Sequence, residues 1–398
     1  MKKMFAIFVA FAFAAAVWAQ GITLAQGKPE IDAALKAYAA AWSKANNIPV
    51  TIKSVGGSSG TDLDTQLKAD FAAGDMPDIF SINGIENYKE WADLALDLSG
   101  EKWVKNTSVA FKANGKVYGF PVAVEGWGMA YNADILKKAG VDPKALVTYA
   151  GYKAAFAKID AMKDKLGLKS VVFMAASLDM GWVTGDHNFN SLLSNGLPYG
   201  DMSVTNKLLA GKVDAKRLSE YADKTVLTTG NYDAQVGAFA SQRAAFLHQG
   251  NWVDPNMKDA KATFSMAFAP HGSTAAKSDG IFAAAPSFYV INKNSKNVAA
   301  AKKFLGDLVF TDAGNKYMVV DAGMIPAYSN IKLSPTGQLS KSVQAWSAAG
   351  KIYSWNQYSF TNDFRQKTLA PIYNQFATGS IMKAQFIDLM TKAFQGLQ

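Results

Sequence analysis

Glycine, serine and aspartate crowd together at Gly56-Gly57-Ser58-Ser59-Gly60-Thr61-Asp62, between a Val- and Ile-rich stretch and the start of a helical apolar pattern. Backbone N–H groups at such a turn, with the Ser58 and Ser59 hydroxyls and the Asp62 carboxylate, can hold a ligand hydroxyl or an anion. The same residues also make a plain glycine turn with Thr61 or Asp62 as helix cap, and both duties stay open. Gly56 to Gly60 further matches Gly-x-Ser-x-Gly, which in a secreted serine hydrolase would make Ser58 the nucleophile and His187, His248 or His271 its base. That context is poor. The motif follows the first strong strand, where a nucleophile elbow needs an earlier strand and an oxyanion loop.

Tryptophan with Asn, Asp and Glu carries a second kind of chemistry, because a polyol needs flat apolar faces for its C–H surface and a few fixed polar groups for its hydroxyls. Of nine tryptophans, Trp42 and Trp91 sit in helical patterns and read as core, and Trp103 and Trp346 lean the same way. Trp127, Trp182, Trp252 and Trp355 are flanked by Gly, Asn, Ser or Asp in segments that read as loops, where binding residues concentrate. Asp78, after Pro77 at the head of a strand, is a ligand contact or a cap. His187, in Gly185-Asp186-His187-Asn188, is placed to face a ligand. Three dispersed histidines and no cysteine give no transition-metal pattern, and Asp179 to Asp186 lacks the oxygen spacing of a calcium loop, so no cofactor or metal is expected.

The elements that must position these residues alternate. Pro29 precedes a helical pattern at Ile31, Leu35, Tyr38 and Trp42; Ile48 to Val55 reads as a strand; Leu63, Leu67 and Phe71 mark a helix ending near Gly74; Asp78 to Phe80 is a short buried strand. Further strands are predicted at Val171 to Met174 and Phe246 to Leu247, and Asn114-Gly115 predicts a hairpin turn. Helices alternating with single strands argue for an α/β fold. No linker rich in Pro, Gly or Ser divides the 398 residues.

The chain opens with Lys2 and Lys3 before an apolar run from Met4 to Val17, with small residues at Val17 and Ala19 around Trp18. This predicts a secretory signal peptide over residues 1–19, shorter than a membrane span. With no cysteine there is neither a disulfide nor a lipid-bearing residue, so a soluble periplasmic protein without a lipid anchor is expected. The formal charge of +9 at pH 7 falls to +7 once Lys2 and Lys3 leave. Its lysines are dispersed one or two per helix, which fits a solvated surface and no nucleic-acid partner.

Four segments resemble the extracellular solute-binding proteins of the maltose-binding type, the sugar-binding subunits of ABC importers. They are Ala69 to Phe80; Asn114 to Pro121 running on through Glu125 to Asn132 and Gly140; Ala244 to Trp252; and Ile291 to Pro326. The resemblance implies a two-lobed periplasmic-binding-protein fold of type II, each lobe a mixed, mostly parallel sheet flanked by helices. Residues 20–125 plus 285–328 would form the N-terminal lobe and 126–284 plus 329–398 the C-terminal lobe. Crossing segments would lie near 123–127, 270–286 and 326–330. Ile22-Thr23-Leu24 is a short candidate for the first strand and departs from the family pattern. By resemblance a sugar-stacking aromatic falls on Trp252, within Gly250-Asn251-Trp252, and Glu125 and Trp127 fall on the cleft floor. The implied function is capture of a mono- or oligosaccharide by hinge closure, by a monomer that delivers it to an importer without catalysis. A binder of anions or polyamines is the alternative.

Overall fold

The computed structural model describes residues 21–56, 61–271 and 278–398. The leader expected over residues 1–19, and Ser58 and Ser59, lie outside the described residues. In chain order the strands are β1 (Ile22–Gln26), β2 (Val50–Ser54), β3 (Ile79–Asn83), β4 (Phe111–Ala113), β5 (Lys116–Pro121) and β6 (Glu125–Asn132), followed by β7 (Ser170–Phe173), β8 (Ala244–Gly250), β9 (Met266–Ala269), β10 (Ile281–Ala284), β11 (Ser287–Ile291) and β12 (Ile352–Tyr353).

Two mixed sheets result. The first runs β2-β1-β3-β11-β5-β4; the second runs β12-β10-β6-β8-β7, with β9 also on β6. β1 lies parallel between β2 and β3. Burial on both faces explains its apolar run: Ile22 and Leu24 pack under the helix Asp32–Asn46, while Ala25 packs with Phe80 on the other side. The short first strand is therefore central. Asp78 pins it, accepting from the Thr23 N–H at 2.7 Å and the Thr23 hydroxyl at 3.1 Å. β5, β6 and β11 make antiparallel pairs throughout, so the sheets are more mixed than the alternation of helices and strands suggests.

Local signals account for the element ends. Helix Asp32–Asn46 buries Leu35, Tyr38, Ala39 and Trp42, the i, i+3, i+4, i+7 stripe of an amphipathic helix. Asp62 caps helix Leu63–Ala73 by accepting from the Thr65 N–H at 2.9 Å, and Gly74 at φ 71° ends it. Phe71, read as part of that helix's apolar stripe, is 55% exposed and meets Trp91 edge-on. Asn114 at φ 49° and Gly115 at φ 77° give the β4–β5 hairpin the paired positive φ of a type I′ turn.

The chain passes between sheets three times. It leaves the first at Pro121 and enters the second at Glu125; it returns between Ala284 and Ser287; it leaves the first core after Ile331 and joins the second at Leu339. The passages are laced together: Val124 N–H donates to the Ile325 carbonyl at 2.9 Å and Val122 N–H to the Ser287 carbonyl at 3.0 Å. Few residues at adjacent crossings are the geometry in which two packed bodies rotate about a hinge.

Candidate functional site: the cleft between the sheets

Parallel strands of an open α/β sheet collect ligands beyond their carboxyl ends. Past the carboxyl end of β1, Gln26 shapes the next turn, its amide oxygen accepting from Lys28 N–H at 2.6 Å and its amide nitrogen donating to the Lys28 carbonyl at 2.9 Å. Lys28 Nζ then crosses to Glu125 Oε1 on β6 at 2.5 Å and also reaches Glu30 at 3.3 Å. Burial works against the Lys28 charge, but Glu125 and Glu30 outweigh it and raise its pKa. Burial raises the Glu125 pKa, Lys28 opposing and Glu30 assisting. The enclosed space beside this pair, with Asn251, Trp252 and Met324 among its walls, measures about 10 Å³. That is room for about one water, so a sugar-sized guest enters only when the lobes separate.

The opposite wall is aromatic. Trp252 lies against His187 with ring centroids 5.1 Å apart, and meets Trp355 at 6.3 Å and Trp182 at 6.4 Å, both edge to face. Trp252 Nε1 donates to Gln249 at 2.8 Å, which fixes the ring. Trp182, Trp252 and Trp355 are each partly exposed. Tyr232 packs beside Trp182 at 5.9 Å and holds Asn256 at 3.2 Å.

Trp127, expected on the cleft floor, is fully buried one layer behind this wall. It stacks on Phe282 at 4.1 Å and on His187 at 5.1 Å, and touches His248 and His271. All three histidines thus pack around one tryptophan, and His248 Nδ1 lies 3.1 Å from His271 Nε2. Burial, with the Lys28 and His271 charges assisting, pushes His187 down to about 3; burial alone takes His271 to about 3. His248 is pushed down too, by burial and then by His271 and His187. Among the described residues no group of three or more His, Asp or Glu side chains stands where it could hold a metal ion.

The remaining expected residues have structural partners. Asn251 is buried and spends both ends of its amide, accepting from Gly126 N–H at 2.8 Å and donating to Ser340 at 3.1 Å. Asp78 stands at the amino end of β3, the end away from the cleft, and also accepts from Ser295 at 2.5 Å and Asn297 at 3.2 Å. Its geometry is that of a clip between β1, β3 and the segment after β11. Asp62 is exposed and caps its helix.

Closure also brings together residues that no motif marks. Gly84, after β3, comes so close to Tyr358 that a Cβ on it would lie 2.4 Å from the Tyr358 Cβ. Arg365 pairs with Asp186 and lies over the Tyr358 ring at 4.9 Å. Burial pulls its guanidinium down to about 9, opposed by the distant carboxylates Asp64 and Asp62, so it stays charged at neutral pH. The carboxyl-end rule would have pointed to Lys28 and Glu30; nothing local marks Tyr358 or Arg365.

The family description "bacterial extracellular solute-binding protein" matches residues 26–319. Over 383 residues the chain is 25% identical to a multiple sugar-binding protein of Streptococcus mutans, covering 88% of this chain and 86% of that one. It is 26% identical over 334 residues to a maltooligosaccharide ABC transporter solute-binding lipoprotein of Streptococcus pneumoniae, covering 77% and 73%. A sugar transporter of Bacillus licheniformis, solved in complex with stachyose, shares the two-lobed fold with a TM-score of 0.75 at 18% identity, over 95% of this chain and 100% of that one. With the family match spanning most of the chain and the two laced sheets enclosing a cleft, the chain belongs to the bacterial extracellular solute-binding proteins.

Proposed function

We propose that the protein captures a mono- or oligosaccharide between its lobes and hands it to the membrane subunits of an ABC importer. The observation that carries this reading is the cluster of Trp182, Trp252 and Trp355 on one wall, opposite Lys28, Glu30 and Glu125 on the other. Aromatic faces cover the C–H surface of a sugar, and charged groups take hydroxyls as short hydrogen bonds. The relatives named for multiple sugars and maltooligosaccharides support the same class.

The lobe limits near residues 125, 285 and 328 belong to the proposal, as do a monomeric, soluble periplasmic form and release without turnover. Hinge closure costs nothing chemically: ligand contacts from both lobes stabilise the closed form, and the importer reads that form.

The test is a thermal-shift screen of the purified protein against mono- and oligosaccharides, with phosphate, amino acids and polyamines alongside. A ligand at one hundred times its Kd adds about 2.7 kcal/mol to the folded state. A shift with a saccharide, lost in Trp252→Ala, supports the reading. Shifts with anions or polyamines alone would keep the lobed binder and discard the sugar.

A further inference from the structure

A second cavity lies inside the lobe built on β6 and β8, separate from the cleft. It measures about 140 Å³. Its apolar walls are Met129 of β6, Phe156 and the ring of Tyr152 from helix Tyr149–Asp160, and Val226. The Tyr152 hydroxyl is already spent on the Pro270 carbonyl, which leaves its ring face to the cavity. Phe156 is braced from behind by Phe246 at 5.2 Å.

The rim is cationic. Lys153 and Lys224 both line the cavity. Lys224 reaches Glu220 only at 3.9 Å, and among the described residues Lys153 has neither an ion pair nor a hydrogen-bond partner. An apolar chamber of this size holds one aromatic ring: an engineered cavity of about 150 Å³ takes benzene. A ring alone would leave the lysines unused, and an inorganic anion would leave the apolar walls unused.

We propose that this cavity is a binding site for a small aromatic carboxylate, ring against Met129, Phe156 and Val226, carboxylate toward Lys153 and Lys224. The site is independent of the saccharide reading of the cleft. It is nevertheless one layer away from it. His271 closes one end, contacts His248 at 3.1 Å, and both touch Trp127, whose other neighbour His187 backs Trp252. Along β6, Glu125, Trp127 and Met129 alternate onto one face, so one strand carries the cleft floor, the buried junction and the cavity wall.

Benzoate, neutral benzamide and cationic benzylamine are the probes, titrated calorimetrically into the full chain at low salt. Benzoate is expected to bind with a Kd of about 1 mM or below, and benzamide about tenfold more weakly, the worth of a charge-assisted contact. Lys153→Glu, at an exposed position that leaves the fold intact, should weaken benzoate by about tenfold or more. Trp252→Ala, in the cleft, should leave benzoate binding unchanged. Absence of benzoate binding, equal affinity for benzamide or benzylamine, or loss in Trp252→Ala with none in Lys153→Glu would each overturn the proposal. Val226→Phe, which fills the chamber, should abolish binding while raising the melting temperature or leaving it unchanged, and retained binding there would count equally against the site.

Discussion

Lys28, just past β1 of the first sheet, and Glu125, at the head of β6 in the second, meet at 2.5 Å in the floor of the cleft, Glu125 buried and Lys28 half-buried, with Glu30 as the second partner of the ammonium. An ion pair that spans two bodies favours the arrangement in which they touch. Breaking a buried pair by removing one charge is costly because the other stays behind unpaired. Glu125→Gln should therefore shift the protein without ligand toward the open form, visible as a larger radius of gyration in solution scattering. An unchanged scattering curve would mean that the pair does not hold the lobes.

The tryptophan wall gives a sharper expectation. Trp252→Ala removes the ring that Gln249 orients and that His187, Trp182 and Trp355 surround. Saccharide affinity should fall by about 30-fold, the scale of an aromatic hot spot of about 2 kcal/mol. Calorimetry on the saccharide found in the screen measures it directly, and a loss under threefold would remove Trp252 from the site.

Gly84 tests closure separately from contact. Its φ of 72° already disfavours a side chain by about 1–2 kcal/mol, and a Cβ there meets Tyr358 at 2.4 Å. Gly84→Ala should hold the lobes apart at this lip and weaken ligand binding, with Tyr358→Ala in the same chain restoring part of it. Failure of the second change to restore binding would place the defect in backbone strain alone.

The histidine cluster predicts acid sensitivity. His187 has a pKa of about 3 in the folded chain against 6.5 in the unfolded one, so the unfolded state binds the extra proton between those values. Its stabilisation is fully present above pH 6.5 and is lost as pH falls toward 3, at about 1.4 kcal/mol per pH unit. The depressed pKa values of His248 and His271 act in the same direction. The melting temperature should drop between pH 7 and pH 5, and His187→Phe should flatten that slope. A flat profile in the parent protein would contradict the neutral, buried cluster.

Asp78 separates fold from binding. Asp78→Ala strips acceptors from Thr23, Ser295 and Asn297 at once and should cost about 2–3 kcal/mol in chemical unfolding. Ligand affinity measured well below the transition should stay as in the parent. A selective loss of affinity would return Asp78 to the cleft.

Much of this protein is legible along the chain because its signals are local. The stripe from Leu35 to Trp42, the cap at Asp62, the stop at Gly74 and the Asn114-Gly115 turn each depend on neighbours within a few residues, and each element forms where those neighbours place it. The alternation of such elements determined an α/β chain, and the residues around Gly115 to Asn132 and Gly250 to Trp252 pointed to the family. What the sequence could not decide is which face of the cleft a residue joins. Trp127 and Trp252 look alike in sequence, each within two residues of a glycine, yet one is sealed behind His187 and the other stands in the wall. Asn251 and Asp78 carry ligand-like chemistry, but partners 89 and 217 residues away occupy it. Lys28 and Glu125 are ordinary charges until three crossings bring β1 and β6 together. Hydrogen bonds and ion pairs over such separations form only after the sheets are stacked, so tertiary structure alone assigned them.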